Sequence, residues 1–308
     1  MKAVIIHSYG GPEVLRIAEV PVPRPARGQV RVRVAAAAVN PVDVQTRSGA
    51  LTRAGILPPR EVVGIGWDLS GTVDAVGPGV TGFAAGDRVV GLCDRLPLPV
   101  KAQAEYAVLD AGAVGRLPPD VDLTAAATLP LNALTAAQAL DLTGLHPGQT
   151  LLVTGAAGAV GGYTVELAAR AGLRVIAVAA ESDEHLVREL GAEHVVARSA
   201  EPAPAVRELA PGGVDGVVDA ASVGIAALDA VRGGGAFVAV LHGAPPPLRG
   251  IRVANVWIRA DGPRLAALAA ARLRLRVADT LPLDRVADAH RALEAGGLRG
   301  RLVLLPTA

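Results

Sequence analysis

The chain of 308 residues has one cysteine, two lysines and no long uninterrupted apolar run. A single cysteine, Cys93, excludes an intrachain disulfide, and we interpret it as a packed thiol. Lys2 and Lys101 form no basic cluster, and 30 basic side chains nearly cancel 29 acidic ones, which argues against a nucleic-acid partner. No stretch approaches the roughly 20 apolar residues that span a bilayer, and the first apolar run is too short for a signal peptide. We therefore expect a cytoplasmic protein without a membrane partner.

Length and patterning predict two domains. The chain is long for a single core on a scale of roughly 150 residues per domain. Up to about residue 118, short strands broken by Gly and Pro predict a β-rich, barrel-like domain. From about residue 120, apolar strands alternate with helical periods, which predicts a doubly wound parallel sheet. The expected helices span 122–143, 158–171, 183–190, 203–209 and 224–231, and the expected strands span 150–154, 174–179, 194–197, 214–219 and 235–241.

Three glycines follow the first strand of this alternating region, in VTGAAGAVGGYTVELAARAG (153–172). Their spacing is G-x-x-G-x-x-G, not the G-x-G-x-x-G of the commonest dinucleotide fingerprint. Without side chains in the way, the backbone amides of the turn and the helix N-terminus can face an anionic group. A tight packing turn is the alternative, but the position at the first strand favours a pyrophosphate cradle. The predicted cradle comprises Gly155, Gly158, Ala159, Val160 and Gly161.

The end of the second strand indicates which dinucleotide binds. Sites that prefer NAD usually carry an acid there for the ribose hydroxyls, but this strand ends in Ala179 and Ala180. Glu181, one residue further, is in reach of the 2′-hydroxyl, whereas Ser182 and Arg198 are placed to meet a 2′-phosphate. We therefore expect NADPH rather than NADH.

Five segments carry a resemblance that covers essentially the whole chain. They are GGPEVLRIAEVPVPRPARGQVRVRVAAAAVNPVDVQTRSG, GWDLSGTVDAVGPGVTGFAAGDRVVG, AATLPLNALTAAQAL, GQTLLVTGAAGAVGGYTVELA and DAHRALEAGGLRGRLVLL. In these segments the chain resembles the medium-chain dehydrogenase/reductase superfamily, in its zinc-independent NADPH:quinone oxidoreductase branch. The resemblance implies an α/β protein with a GroES-like β-rich catalytic domain at 1–118, completed by 273–308. It also implies a Rossmann domain with a doubly wound parallel sheet at 119–272.

The resemblance also indicates where zinc ligands would stand. Zinc-dependent members bind the catalytic metal through a cysteine and a histidine at places that hold Asn40 and Trp67 here. Neither side chain replaces a thiolate or an imidazole, and one cysteine cannot form the four-cysteine structural lobe. No two of the six histidines stand at ligand spacing. We expect no metal.

The missing zinc ligands constrain the chemistry. Alcohol oxidation and reduction of an isolated ketone benefit from a Lewis acid that holds negative charge on oxygen. Hydride addition to a quinone or an α,β-unsaturated carbonyl spreads that charge over a phenolate or enolate, which hydrogen-bond donors can stabilise. The sequence therefore predicts conjugate reduction with NADPH.

The resemblance supplies two candidate catalytic residues. Asn40 resembles the asparagine beside the nicotinamide and substrate in quinone reductases, and its amide can donate to a carbonyl oxygen. Capping of the NPVD turn is the alternative. Gln45 stands where many quinone reductases place a tyrosine, and its amide is a substitute donor. We interpret Asp43 as a structural acid of the same turn.

Other candidates lie near the expected cofactor and substrate. Trp67 and Asn132 are expected to line the substrate pocket in the cleft between the domains, with packing as the alternative. Thr135 matches a threonine beside the nicotinamide in relatives. Leu241 ends the strand GAFVAVL and His242 follows it, at the carboxyl end of the sheet, where ligands bind at a topological switch point.

Two other functions remain open, as does the oligomeric state. An enoyl reductase that tailors a secondary metabolite fits the Ala- and Arg-rich composition, which is typical of GC-rich genomes. A non-catalytic NADPH-binding protein fits the small number of obvious catalytic groups. The segment GIRVANVWIRA (250–260) alternates apolar and polar residues and predicts a sheet edge with unpaired backbone groups. Such an edge favours a homodimer.

Overall fold

The structure, a computed structural model, describes residues 1–96, 98–240 and 243–306. Within these ranges the protein is an α/β protein with three β-sheets. Among the helices described there, none is both long and apolar enough to cross a bilayer.

Two compact units divide the chain. The first consists of Met1–Leu131 and Arg259–Ala308, and the second of Asn132–Ile258. Segments 119–131 and 259–272, predicted to belong to the Rossmann domain, therefore lie in the first unit.

The bounds of the elements are as follows. The strands are β1 Lys2–Ile6, β2 Arg16–Glu19, β3 Gln29–Val39, β4 Val63–Gly64, β5 Asp68–Val76, β6 Arg88–Leu92, β7 Tyr106–Asp110, β8 Val114–Arg116, β9 Thr150–Thr154, β10 Arg174–Ala179, β11 His194–Ala197, β12 Val214–Asp219, β13 Val231–Ala239, β14 Arg252–Asn255, β15 Val277–Pro282 and β16 Arg301–Leu305. The α-helices are α1 Pro41–Arg47, α2 Ala50–Arg53, α3 Leu123–Ala126, α4 Pro130–Thr143, α5 Ala159–Arg170, α6 Glu184–Glu189, α7 Pro202–Leu209, α8 Ile225–Leu228, α9 Gly262–Ala270 and α10 Val286–Ala295.

The first unit is built on two β-sheets. One has the strand order β2-β1-β4, and the other has the order β15-β16-β3-β5-β6-β8, with β7 also paired to β3. Alternation along β3 explains its place in the core, because Val30, Val32 and Val34 are fully buried while the residues between them are less so. The GroES-like β-rich domain predicted from the sequence is confirmed.

Close packing of α9 explains why segment 259–272 joins the first unit. A Cβ atom on Gly115 of β8 would lie 2.6 Å from the backbone nitrogen of Ala266. A Cβ atom on Gly262 would lie 2.4 Å from the carbonyl oxygen of Val114. Glycine at both positions lets the helix backbone approach the strand closely.

The second unit holds a six-stranded parallel sheet with the order β11-β10-β9-β12-β13-β14. Both faces of the sheet are buried, because Leu151 and Val153 enter one apolar cluster and Leu152 enters another. The Rossmann-type sheet is therefore confirmed, and strands β9 to β12 have the predicted bounds.

Three predicted elements differ from the structure. The helix predicted for 122–143 is two helices, α3 and α4, because Pro130 opens α4 and keeps the residue before it out of helical geometry. The helix predicted for 224–231 is a single turn, α8. The strand predicted for 235–241 begins earlier, since Val231 already pairs with Val214.

Candidate functional site

The turn between β9 and α5 requires glycine at two positions. Gly155 has φ +60°, a left-handed conformation that favours glycine, and an added Cβ would meet Ala221 at 3.1 Å. An added Cβ on Gly161 would lie 2.1 Å from the carbonyl oxygen of Gly155. Packing of the helix against the turn therefore accounts for both glycines.

Gly158 lies under a weaker packing constraint. It is the N-cap residue of α5, and an added Cβ would meet the carbonyl oxygen of Gly155 at 3.1 Å. Ala159, Val160 and Gly161 form the first turn of α5, and backbone N–H groups face outward at the N-terminus of a helix. A cradle whose central position has no side chain, followed by a helix N-terminus, fits a pyrophosphate group.

Asp219 organises the adjacent end of the sheet and was not predicted from the sequence. It ends β12 and is buried, and its Oδ1 accepts a hydrogen bond of 2.5 Å from the hydroxyl of Thr154 at the end of β9. Its other oxygen accepts from the backbone nitrogen of Gly224 at 2.8 Å. An acid at a strand end before the turn sequence AASVG was the available signal. The carboxylate joins the ends of two neighbouring strands.

The residues predicted to contact the 2′-phosphate lie at one end of the sheet. Ala179 of β10 pairs with Ala197 of β11, and the backbone nitrogen of Arg198 donates to the carbonyl oxygen of Ala179 at 2.8 Å. Glu181 and Ser182 lie in a 3-10 turn that begins two residues after the end of β10. All three side chains, those of Arg198, Glu181 and Ser182, are exposed. The structure thus leaves both the acid and the base accessible to a ligand.

The remaining candidates of the second unit lie on α4 or beyond the described residues. Asn132 and Thr135 stand three residues apart on α4, hence on one face of the helix, and both are buried. Leu241 and His242 lie outside the residues that the structure describes.

Asn40 is fully buried at the N-terminus of α1. Its Nδ2 donates to Oδ2 of Asp68 at 2.9 Å, and its backbone nitrogen donates to Oδ2 of Asp43 at 2.8 Å. Asn40 and Asp43 together form a capping box. Capping of the NPVD turn is the alternative role that the sequence predicts for Asn40. The amide is therefore held in one plane by Asp68 while its backbone starts the helix.

Two buried carboxylates surround this amide. Asp43 also accepts from the backbone nitrogen of Gly66 at 3.0 Å, in keeping with a structural acid. Asp68 accepts from the backbone nitrogen of Leu131 at 2.6 Å. Burial raises the pKa of Asp43 to about 6 and that of Asp68 to about 7, and the hydrogen bonds oppose that rise. Asp68 was not predicted, although it directly follows Trp67 in GWDLSG.

Trp67 lies against a buried cation. Its side chain is buried, and the Nζ atom of Lys101 lies 4.1 Å from the centroid of its ring. Lys101 was not predicted as a site residue, although it is one of two lysines in an Arg-rich chain. Gln45, the second catalytic candidate, is half-buried on α1.

The potential metal ligands of the described residues are scattered. Among those residues, no three His, Cys, Asp or Glu side chains are grouped so that they could hold a metal ion. His290 of α10 is fully buried, and burial, with the nearby charge of Arg47, lowers its pKa to about 3. Cys93 is buried as well, and burial raises the pKa of its thiol.

Two family models match separate parts of the chain. The alcohol dehydrogenase GroES-like domain matches residues 26–119, and the zinc-binding dehydrogenase family matches residues 190–304. The first match covers most of the strands of the first unit, and the second covers the later strands of the parallel sheet and the returning segment.

Three of the similar proteins are oxidoreductases that align with this chain over most of their own length. A 2-haloacrylate reductase of a Burkholderia species is 33% identical over 99% of each chain. A chloroplastic NADPH-dependent alkenal/one oxidoreductase of Arabidopsis thaliana is 31% identical over 99% of this chain and 80% of its own. The crystal structure of an NAD-dependent alcohol dehydrogenase superposes with a TM-score of 0.86 at 32% identity over 99% of each chain. The chain therefore belongs to the medium-chain dehydrogenase/reductase superfamily of oxidoreductases, whose members similar to it include alkenal/one reductases and quinone oxidoreductases.

Proposed function

We propose that this protein catalyses the NADPH-dependent conjugate reduction of an α,β-unsaturated carbonyl or a quinone. The observation that carries the proposal is the buried Asn40–Asp68 pair. An amide donor, fixed by a carboxylate, stands where zinc-dependent relatives place a metal ligand. Such a donor suits an enolate or phenolate, whose negative charge is spread over several atoms.

The chain's residues fit the cofactor. NADPH, when bound, supplies the hydride. The turn at Gly158 and the first amides of α5 would hold its pyrophosphate, because no side chain fills the centre of that turn. Ser182 and Arg198, both exposed at one end of the sheet, would face the 2′-phosphate. The names of similar proteins include both cofactors, since the Arabidopsis enzyme is NADPH-dependent and the alcohol dehydrogenase is NAD-dependent.

We propose that the reaction proceeds without zinc. Asn40 and Trp67 contain neither a thiolate nor an imidazole to offer a metal, and they contact Asp68 and Lys101 instead. Electrophilic assistance then falls to hydrogen-bond donors. We assign Asn40 as the donor to the substrate's carbonyl oxygen and half-buried Gln45 as a second donor.

Asp68 acts on the reaction through Asn40. An amide that donates to a carboxylate at 2.9 Å loses the freedom to rotate about its side-chain bonds. A fixed donor needs no reorganisation when negative charge develops on the substrate oxygen. Asp68 is therefore a positioning residue in this proposal, and Asp43 keeps the backbone of the same turn in place.

The substrate class is supported by the relatives' activities. The names alkenal/one oxidoreductase, quinone oxidoreductase and 2-haloacrylate reductase all describe reduction of a conjugated system. An enoyl reductase that tailors a secondary metabolite would use the same chemistry on another substrate. A non-catalytic NADPH-binding protein would need the cradle but not the fixed amide.

A panel of substrates tests the proposal. NADPH oxidation by the purified protein is followed with 1,4-benzoquinone, 3-buten-2-one and cyclohexanone, an isolated ketone. We expect turnover with the first or second compound and none with the third. NADPH binding without oxidation of any compound would support the non-catalytic alternative, and reduction of cyclohexanone would contradict the conjugate chemistry.

We further propose that the protein is a homodimer. Strand β14 is the last strand at one edge of the parallel sheet. Its outer backbone groups are therefore available to another strand. Two residues beyond β14, Trp257 is 63% exposed, an unusual position for the largest apolar side chain. A second copy of the chain would cover both features.

A further inference from the structure

Lys101 is unusual in this chain by type and by environment. The chain has 30 basic side chains but two lysines, and Lys101 is 2% exposed whereas Lys2 is exposed on β1. An ammonium group removed from water is costly unless a partner compensates for the lost hydration. The surroundings of Lys101 therefore indicate what that partner is.

Nearby carboxylates do not provide the compensation. Burial lowers the pKa of Lys101, and the nearby Cys93, Asp43 and Asp94 oppose that shift only in part. None of these groups forms an ion pair with Lys101 among the described residues, and the two acids are committed elsewhere. Asp43 accepts two backbone hydrogen bonds, and Asp94 accepts one of 2.7 Å from the backbone nitrogen of Ala260. The close partner of the ammonium is the face of the Trp67 ring, which is uncharged.

An unpartnered amide lies on the same segment. Residues 98–103 run beside residues 64–67, with the backbone nitrogen of Gln103 donating to the carbonyl oxygen of Ile65 at 3.0 Å. The Gln103 side chain is fully buried, and neither Nε2 nor Oε1 has a hydrogen-bond partner among the described residues. A buried amide without partners is energetically costly, so a ligand that satisfies it recovers the lost hydrogen bonds.

We propose that Lys101 is a specificity-determining residue that binds the carboxylate of an acidic, α,β-unsaturated substrate. The ammonium pairs with the carboxylate, the Trp67 ring covers the apolar part beside it, and the Gln103 amide is the second polar group of the subsite. The inference rests on the proposed function and names its substrate class as an unsaturated carboxylic acid. A neutral enone or quinone would offer the buried Lys101 side chain no negatively charged partner.

Binding of a saturated acid tests the subsite without turnover. Calorimetric titration with 2-chloropropionate and with its methyl ester compares the wild type, Lys101→Met and Lys2→Met, all in the presence of NADP+. We expect Lys101→Met to lose at least tenfold in affinity for the acid and to keep its affinity for the ester. Lys2→Met, the control at the other lysine, should match the wild type.

Kinetics with the matched unsaturated pair provide the second measurement. The ratio of kcat/KM for 2-chloroacrylate to that for methyl 2-chloroacrylate should fall at least tenfold in Lys101→Met and recover in part in Lys101→Arg. Equal losses for acid and ester would overturn the proposal, because they would indicate a structural role. An unchanged ratio would overturn it as well.

The wild type alone keeps the inference falsifiable if Lys101→Met does not fold. A wild type that reduces 3-buten-2-one but binds no 2-chloropropionate would overturn the carboxylate subsite and leave the proposed function standing. A wild type that binds the acid but oxidises NADPH with no substrate would overturn the proposed function and leave the subsite standing.

Discussion

The Asn40–Asp68 hydrogen bond carries the first prediction. Asp68→Asn keeps the size of the side chain but replaces the carboxylate that holds the Asn40 amide. We expect kcat for the enone to fall by about 10- to 100-fold, because loss of a fixed orientation has effects of this order. The Kd for NADPH should hardly change. Steady-state kinetics and a cofactor titration measure the two quantities.

An acid on the same strand provides the control for that variant. Asp74 also lies on β5 but is exposed, where it pairs with Arg31. Asp74→Asn should retain the wild-type kcat. If both variants lost activity equally, the orientation of Asn40 would not be the cause.

The raised pKa of Asp68 predicts how stability depends on pH. Burial raises this pKa to about 7, so the folded protein holds the proton at pH values where the unfolded chain has lost it. The folded state therefore binds more protons than the unfolded state between about pH 4 and pH 7, and stability falls as pH rises through that window. Asp68→Asn removes the titrating group. The free energy of unfolding of this variant, relative to wild type, should rise by on the order of 2 kcal/mol between pH 5 and pH 8.

Urea unfolding at the two pH values measures this difference. Asp43 has a raised pKa too, but it is present in both proteins and its contribution largely cancels. A difference between variant and wild type that stayed constant from pH 5 to pH 8 would show that Asp68 is ionised in the folded protein throughout.

At the scale of residues, candidate site residues could be predicted where their position in a motif identifies them. They were missed where their role depends on tertiary contacts alone. Asn40 and Trp67 follow from their places in quoted motifs. The roles of Asp68 and Lys101 depend on contacts with partners 28 and 34 positions away, respectively Asn40 and Trp67. Burial that changes a pKa likewise arises from strands brought together by the fold. No local sequence pattern predicts these tertiary contacts or the pKa changes that burial causes.

At the scale of elements, we expect two glycines between β9 and α5 to have different roles. Gly158 is expected to serve cofactor binding and Gly161 to serve packing. Gly158→Val adds a side chain whose Cβ meets one carbonyl oxygen at 3.1 Å, a tight contact that a small shift relieves. We expect a folded protein with at least tenfold weaker NADPH binding, because the side chain blocks the pyrophosphate. Gly161→Val should instead prevent folding, since its Cβ would lie 2.1 Å from a backbone oxygen. Thermal unfolding and fluorescence titration with NADPH distinguish the two outcomes.

Gly212→Val is a matched control for these variants. An added Cβ at Gly212 of the second unit meets nothing within 4 Å. Wild-type NADPH affinity in a folded Gly158→Val protein would rule out this turn as the cradle.

The ends of β10 and β11 predict the choice between the two dinucleotides. Arg198 is exposed directly after β11, where its guanidinium can form paired hydrogen bonds with a phosphate. Arg198→Ala should weaken NADPH binding by about 1.5–3 kcal/mol, the value of a hydrogen bond to a charged group, and leave NADH binding nearly unchanged. Parallel titrations with both cofactors measure this.

Arg188→Ala, at an exposed arginine of α6 paired with Glu184, serves as the control. Equal losses for NADPH and NADH in Arg198→Ala would assign Arg198 to folding or to the shared adenosine. A wild type that prefers NADH would overturn the choice of NADPH and leave Glu181 as the residue facing the ribose.

Secondary-structure elements were predictable where the hydrophobic periodicity and the residues that end each element indicate the same bounds. Strands β9 to β12 have the predicted bounds because each is a short apolar run closed by polar or glycine residues. The helix predicted for 122–143 continued through Pro130 because the apolar pattern on both sides is helical. The sequence contained the signal that splits it, since proline restricts the residue before it.

At the scale of the whole molecule, the resemblance gave the fold and left the substrate open. The segments that carry the resemblance form strands and turns of both units, so they predict architecture. In our proposals the substrate depends on a few side chains such as Gln45, Trp67 and Lys101, which the fold alone does not specify. The boundaries of the compact units also differ from those of the predicted domains, because α9 packs on β8 through two glycines.

The edge of the parallel sheet predicts the mass of the protein in solution. Light scattering at micromolar concentration should give twice the 31.1 kDa of one chain, because in the proposed homodimer a second copy would cover β14 and Trp257. Trp257→Glu places a charge on the proposed contact and should give the mass of one chain. Leu209→Glu, at an exposed leucine that ends α7, should leave the dimer intact. A wild type with the mass of one chain, or dissociation in both variants alike, would remove β14 as the interface.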